Sequence, residues 1–211
     1  MNVPPPVRHR RRPEDAEREI VDAAEALLRE GSYADLTVAD VMARTGLGRS
    51  SFYVYFADLP ALLRSVAARI EGEFLAVSEI WLTGPGDEDA SRRSTEGIVE
   101  VYVRHGPVLK ALADAQATQP VVEEIFRWGV VQHFIDAVTR RCEEQYAAGR
   151  FPHLLSREVC HALVLMTEGY LADTLGRTPS ADPKPVAAAL NVVWSKVLYG
   201  RDALPTVPPV G

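Results

Sequence analysis

The 211-residue sequence has only two cysteines, Cys142 and Cys160, and they show neither CxxC nor paired-finger spacing, which argues against a disulfide framework and a zinc module. A reducing compartment is the expectation. No apolar run approaches the ~20 residues that span a bilayer, and no apolar stretch follows the amino-terminal arginines as it would in a secretory leader. The protein is therefore expected in the cytoplasm, without a membrane partner. Alternating Val/Ile/Thr-rich runs bounded by hairpin turns are missing, as are a Gly-rich phosphate loop, a GxSxG elbow and any defensible Ser/His/Asp order. Positive charge is short too: a formal charge of −6 argues against a protein that coats nucleic acid generally, because that relies on summed phosphate neutralisation. A local basic face stays open.

What the sequence does contain is helix. Hydrophobic residues make up 47%, enough for a buried core, and almost every segment has helical period. The expected fold is all-α with about nine helices. In the first, residues 14–30, Pro13 suits the start, acids fill the first turn, and Ile20, Ala23, Ala24, Leu27 and Leu28 form one apolar face before Gly31. In "LTVADVMARTG", Thr37 caps a second helix of barely two turns, Asp40 takes the capping-box position, Val38, Val41 and Met42 face inward, and Gly46 ends it. A third helix takes residues 49–56, and Asp58 caps a long fourth. Short helix, tight Gly turn and short helix make the helix-turn-helix pattern.

The stretch "TGPGDEDA" reads as a loop and as the junction of two parts that the fourth helix joins physically. Beyond it about five helices are expected, with breaks after "RRSTEGIVEVYVRHG" and "PVLKALADAQAT" and a long helix over residues 120–148. The organisation is then a disordered basic arm at 1–13, a helix-turn-helix domain at 14–62, a larger helical domain at 63–202 and a disordered tail at 203–211.

The third helix carries the candidate chemistry. A helix that enters the major groove needs a small, polar amino-terminal turn, so that its axis approaches the base edges and its free amides meet phosphates. Gly48, Arg49, Ser50 and Ser51 fit. The Arg49 fork matches O6 and N7 of guanine, a contact worth ~1–3 kcal/mol of discrimination. Tyr53 and Tyr55 have hydroxyls on rigid arms and read equally as phosphate clamps or as packing and surface aromatics, whereas Phe52 and Phe56, four apart, read as core. The arm "RHRRR", with Arg10, Arg11 and Arg12, is either a phosphate-seeking tail or a solvated one.

The segment "ADLTVADVMARTGLGRSSFYVYFADLPALL" resembles the DNA-binding domain of TetR-type transcriptional repressors, over about residues 14–69. Within that family, "RSSFYVYF", "ALVLMTEGYL" and "VVWSKVLYG" are similar to the mycobacterial EthR-like subgroup, which binds apolar ligands in a long pocket. The resemblance implies a homodimer on a double-stranded DNA operator, with Thr37, Arg44, Gly48 to Ser51, Tyr53 and Tyr55 on the DNA side. Two positions depart from the family pattern. Gly48 stands where a serine-like cap is usual, at a cost of only a few tenths of a kcal/mol, and Leu59 stands where a lysine usually grips phosphate. The arginine arm then supplies charge in that lysine's place, from the minor groove.

In the larger domain, aromatics recur at helical spacing in Tyr102, Phe126, Trp128, Phe134, Tyr170 and Trp194. Alone they would be ordinary core. Read with the resemblance, Tyr102, Phe126, Val130, Phe134, Val164, Thr167 and Trp194 line a pocket for an apolar small-molecule effector, with the Thr167 hydroxyl orienting it and Glu168 nearby. The last two helices, with small residues and apolar faces, suit a four-helix dimer seam. Two other classes compete. Glu158 and His161 have the Glu-x-x-His spacing of di-iron bundles, but no second such pair accompanies them, and the spacing of His133 and Asp136 arises readily by chance. No enzyme, metal or cofactor is therefore expected. A helical adaptor binding protein through the aromatic helix is the other rival.

Overall fold

The computed structural model describes residues 12–177 and 180–200, without the side chains of 128–130. Arg10, Arg11, the carboxyl-terminal tail and the side chains of Trp128 and Val130 lie outside the described residues. Every regular element among the described residues is helical, as expected of an all-α chain: α1 (Pro13–Glu30), α2 (Val38–Ala43), α3 (Phe52–Tyr55), α4 (Leu59–Leu82), α5 (Glu88–Gln116), α6 (Pro120–Glu123), α7 (Gln132–Ala147), α8 (Arg157–Thr174) and α9 (Pro183–Tyr199). No helix among them is long and apolar enough to cross a membrane.

Local signals set most boundaries. Pro13 already belongs to α1, whose buried stripe runs through Ile20, Ala23, Ala24 and Leu28. The side chains of Asp58, Asp87 and Ser156 accept the free amides of Ala61, Ala90 and Val159, closing the first turns of α4, α5 and α8. The helix expected at 49–56 is only part α-helix: Arg49–Ser51 form a 3-10 turn that leads into the single turn of α3.

Two expectations for the larger domain change. The break expected between "VRHG" and "PVLK" does not occur, and α5 runs 29 residues with Pro107 inside. An interior proline costs about 3 kcal/mol, and the burial of Tyr102, Val108, Leu109 and Leu112 on both sides of it outweighs that. Gly106 is required here, because a Cβ would stand 2.4 Å from the carbonyl oxygen of Leu175, where α5 crosses the end of α8. The long helix expected at 120–148 is present as α6 and α7, joined by an eight-residue π-helical segment, Glu124–Val131. π turns commonly mark functional positions.

One apolar core runs from the small amino-terminal bundle into the body, from Ile20, Phe52 and Phe56 through Leu62, Val66 and Ile70 to Phe74 and Tyr102. A second cluster, with Trp81, Val138, Cys142, Phe151, Cys160 and Leu198, closes the far end, and both cysteines are free and buried. There the Tyr199 hydroxyl accepts the Trp81 indole N–H at 3.1 Å and donates to the Asp87 carbonyl at 2.8 Å, fastening α9 to the α4–α5 loop.

Candidate functional site

The amino-terminal bundle holds its turn from α1. Glu19 Oε1 accepts the Gly46 N–H at 2.6 Å, and Thr45 Oγ1 accepts the Leu47 N–H at 3.2 Å while donating to the Met42 carbonyl at 2.9 Å. The Thr37 hydroxyl accepts the Asp40 N–H at 3.1 Å and donates to its carboxylate at 2.5 Å, so Thr37 caps α2 and Asp40 holds the capping hydroxyl in place. Beyond the turn Phe52 is fully buried and Phe56 nearly so, as their spacing requires.

The remaining residues of this segment separate by exposure. Gly48, Arg49 and Ser50 are exposed and Ser51 is half-buried. Gly48 offers no side-chain cap. The two tyrosines part company: Tyr53 is 58% exposed, while Tyr55 packs against the core. Val54, at 75% exposure, is the most exposed large apolar side chain of the described residues, and nothing in the sequence marks it, because one valine carries no signal. Arg12, at the N-cap of α1, is exposed. Arg44 is already engaged: its guanidinium makes a two-pronged contact with Glu30 at 2.7 and 2.5 Å, and that hydrogen bonding holds the Glu30 carboxyl below its ordinary pKa. Leu59, at the position of the missing lysine, packs on the core beside the Asp58 cap.

The larger domain encloses a cavity between α4, α5, the π segment, α7, α8 and α9, with about 900 Å³ of space free of atoms, part of it continuous with solvent. Tyr102, Phe126, Phe134, Val164, Thr167 and Trp194 all line it. Tyr170 faces outward. Residues absent from the sequence-based set complete the wall: Phe74, Ser78 and Trp81 from α4, and Ser91, Ser94 and Thr95 from α5. Ser91, Ser94 and Thr95 showed in the sequence only as small polar residues, which read equally as tight helix contacts. Phe74 contacts both Tyr102 and Phe134, with ring centroids 5.5 and 6.1 Å apart.

The polar groups of the wall differ in what they have left to offer. The Thr167 hydroxyl accepts the Trp194 indole N–H at 2.9 Å and donates to the Leu163 carbonyl at 2.8 Å, so its proton is committed. Ser78 Oγ is buried and has no partner among the described residues. Burial pushes the Glu168 carboxyl above its ordinary value, with Arg127 pulling the other way. Burial, and then the Glu168 charge, push the Tyr102 hydroxyl up.

Between bundle and cavity lies a charged junction. Glu25 of α1, only 3% exposed, meets Arg29 and Arg69, and Arg69 also reaches Asp22 at 2.5 Å. His105 of α5 places Nε2 3.0 Å from Glu73 Oε1 of α4 and Nδ1 3.8 Å from Glu25 Oε2. Burial pushes Glu73 up, but Arg104 and His105 outweigh it and leave its carboxyl below the ordinary value. The pairs noted in the sequence do not form one centre: His133 contacts Glu71, and Arg157 contacts Asp136. Among the described residues no group of three or more His, Cys, Asp or Glu is arranged to hold a metal ion.

Comparison with known proteins matches residues 91–200 to the family model described as transcriptional regulator EthR, C-terminal domain, and residues 20–66 to bacterial regulatory proteins, tetR family. The HTH-type transcriptional regulator EthR of Mycobacterium tuberculosis is 29% identical over 195 residues, covering 90% of this chain and 89% of its own length. In fold, the chain is similar to a crystal structure of a TetR-family transcriptional regulator from Syntrophomonas wolfei (TM-score 0.77, 13% identity, 88% of this chain and 96% of that one). It is also similar to Salmonella enterica GusR (TM-score 0.74, 17% identity, 90% and 98%).

Proposed function

The chain belongs to the TetR family of bacterial regulatory proteins and carries an EthR-type C-terminal domain, and from that premise we propose that this DNA-binding regulator is a cytoplasmic repressor released from a palindromic operator by an apolar small molecule. Residues 14–62 read the operator, with Arg49, Ser50, Ser51, Tyr53 and the exposed Val54 toward the groove, and residues 63–202 bind effector and partner subunit. Val54 suits a thymine methyl. The observation that carries the coupling is the span of α4. Its first half, with Leu62, Leu63 and Val66, packs in the bundle, and its second half supplies Phe74, Ser78 and Trp81 to the cavity wall.

A ligand that favours one placement of α4 shifts the balance between two head separations, and the operator favours the other. The partner subunit docks on α8 and α9, whose outer faces leave Met166, Tyr170, Val192 and Val193 exposed. A two-fold axis there sets two recognition segments roughly 34 Å apart, one turn of DNA. The test is a thermal-shift screen of apolar compounds paired with operator release measured by fluorescence anisotropy. Trp81 and Trp194 line the cavity, so their fluorescence reports occupancy directly. Compounds that stabilise the protein and leave operator binding intact would refute the coupling.

A further inference from the structure

The cavity wall is apolar apart from a few side chains, and several of those are already satisfied within the fold. Thr167 is committed at both its donor and an acceptor site, and Thr95 donates to the Ser91 carbonyl at 3.0 Å. Glu168 is different. It is the one carboxylate among the described lining residues, and no hydrogen bond or ion pair to it is formed within the described residues. Arg127, the cation whose charge favours its ionised form, is 54% exposed and pairs with Glu123 at 3.6 Å. Glu168 also lies near the hydroxyl of Tyr102, whose ring belongs to a cluster of three with Phe74 and Phe134.

We infer that the effector is a cationic amphiphile, an amine with a long apolar body, whose ammonium group is held by the Glu168 carboxylate and by the ring faces of Tyr102, Phe74 and Phe134. The inference rests on the cavity being the effector site. A half-buried carboxylate with no partner is costly to keep ionised, as the raised pKa of Glu168 reflects. A ligand cation removes that cost, a neutral ligand leaves it, and an anionic ligand adds to it. Aromatic ring faces are negative and add attraction for the same ligand charge. Ser78, buried without a partner among the described residues, accommodates any hydrogen-bonding group and so does not choose between charges. Glu168 does choose.

The experiment uses the full chain and three probes of one chain length, dodecylamine, dodecanol and dodecanoate, each below its critical micelle concentration. Binding is read by tryptophan quenching and calorimetry. Dodecylamine is expected to bind about tenfold or more tighter than dodecanol, the range of a hydrogen bond to a charged group, with dodecanoate weakest. In Glu168→Gln the amine should lose that advantage while dodecanol binds as before. Equal binding of amine and alcohol to the wild-type protein overturns the inference and leaves the effector cavity standing. An amine preference that survives in Glu168→Gln overturns it too, since the overall negative charge would then account for it. Failure of all three probes removes the effector-cavity reading and this inference with it.

Discussion

Nε2 of His105 and Oε1 of Glu73 lie 3.0 Å apart and join α5 to α4 one residue from the cavity wall. Phe74 follows Glu73, Tyr102 lies one turn before His105, and their rings meet at 5.5 Å. The other face of His105 looks to Glu25 of α1 at 3.8 Å. A ligand that parts the two rings therefore acts on the same pair of helices that this contact ties to the bundle. His105→Ala is expected to leave ligand affinity within about twofold while reducing ligand-induced operator release several-fold, the size of a coupling change of ~0.5–2 kcal/mol. Operator titrations with and without ligand check it, and an unchanged response would show that coupling takes another route.

Glu30 holds Arg44 in the free protein. If Arg44 turns to a phosphate on the operator, that pair must open, and Glu30→Gln should strengthen operator binding by about two- to fivefold, as an exposed pair is weak. The salt dependence should stay as in the wild type, because the same phosphate contact is made in both. Weaker binding in the variant would mean that the pair orients α2 for DNA.

If the arginine arm takes the place of the lysine that Leu59 replaces, deleting residues 1–12 removes phosphate contacts. Operator affinity should fall, and its dependence on salt should flatten by about 0.9 in log–log slope for each phosphate that the arm neutralises. Unchanged slopes would make the arm a solvated tail.

Phe52 is fully buried, in the core cluster that also holds Ile20 of α1, Val41 of α2 and Leu62 of α4. Phe52→Ala should cost about 3–5 kcal/mol, a large share of what a small bundle has. Denaturant melts followed by tryptophan fluorescence and by circular dichroism should then separate, the bundle melting before the body that holds Trp81 and Trp194.

Burial raises the Glu168 carboxyl above its ordinary 4.5, against Arg127. The folded protein thus binds this proton more tightly than the unfolded chain. The stability it contributes is fully present below the ordinary carboxyl pKa and is lost as pH rises through the folded value. Glu168→Gln, neutral at every pH, should therefore raise Tm at about pH 7.5 and give no gain near pH 4. A gain of the same size at both would reflect repacking instead.

The bundle was legible because its signals are short in sequence. Thr37 with Asp40, Asp58 with Ala61, and Phe52 with Phe56 each speak across three or four residues, the reach of one helical turn. The cavity was half legible: aromatics at helical spacing marked Tyr102, Phe126, Phe134 and Trp194, but nothing local marked Ser78 or Phe74 as their neighbours.

By itself the sequence determined that the chain is helical, that Thr37 and Asp58 cap α2 and α4, and that a helix-turn-helix follows α1, since capping and periodicity are decided within a turn. Only the tertiary structure decided that α5 continues through Pro107, that Arg44 is taken by Glu30, that Thr167 has no proton to give, and that Glu168 stands in the cavity wall without a partner among the described residues. Each of these depends on helices distant in the chain. Packing energy summed over many contacts overrides a local penalty such as a proline, and the partner of a polar group is whichever group the packing brings within reach.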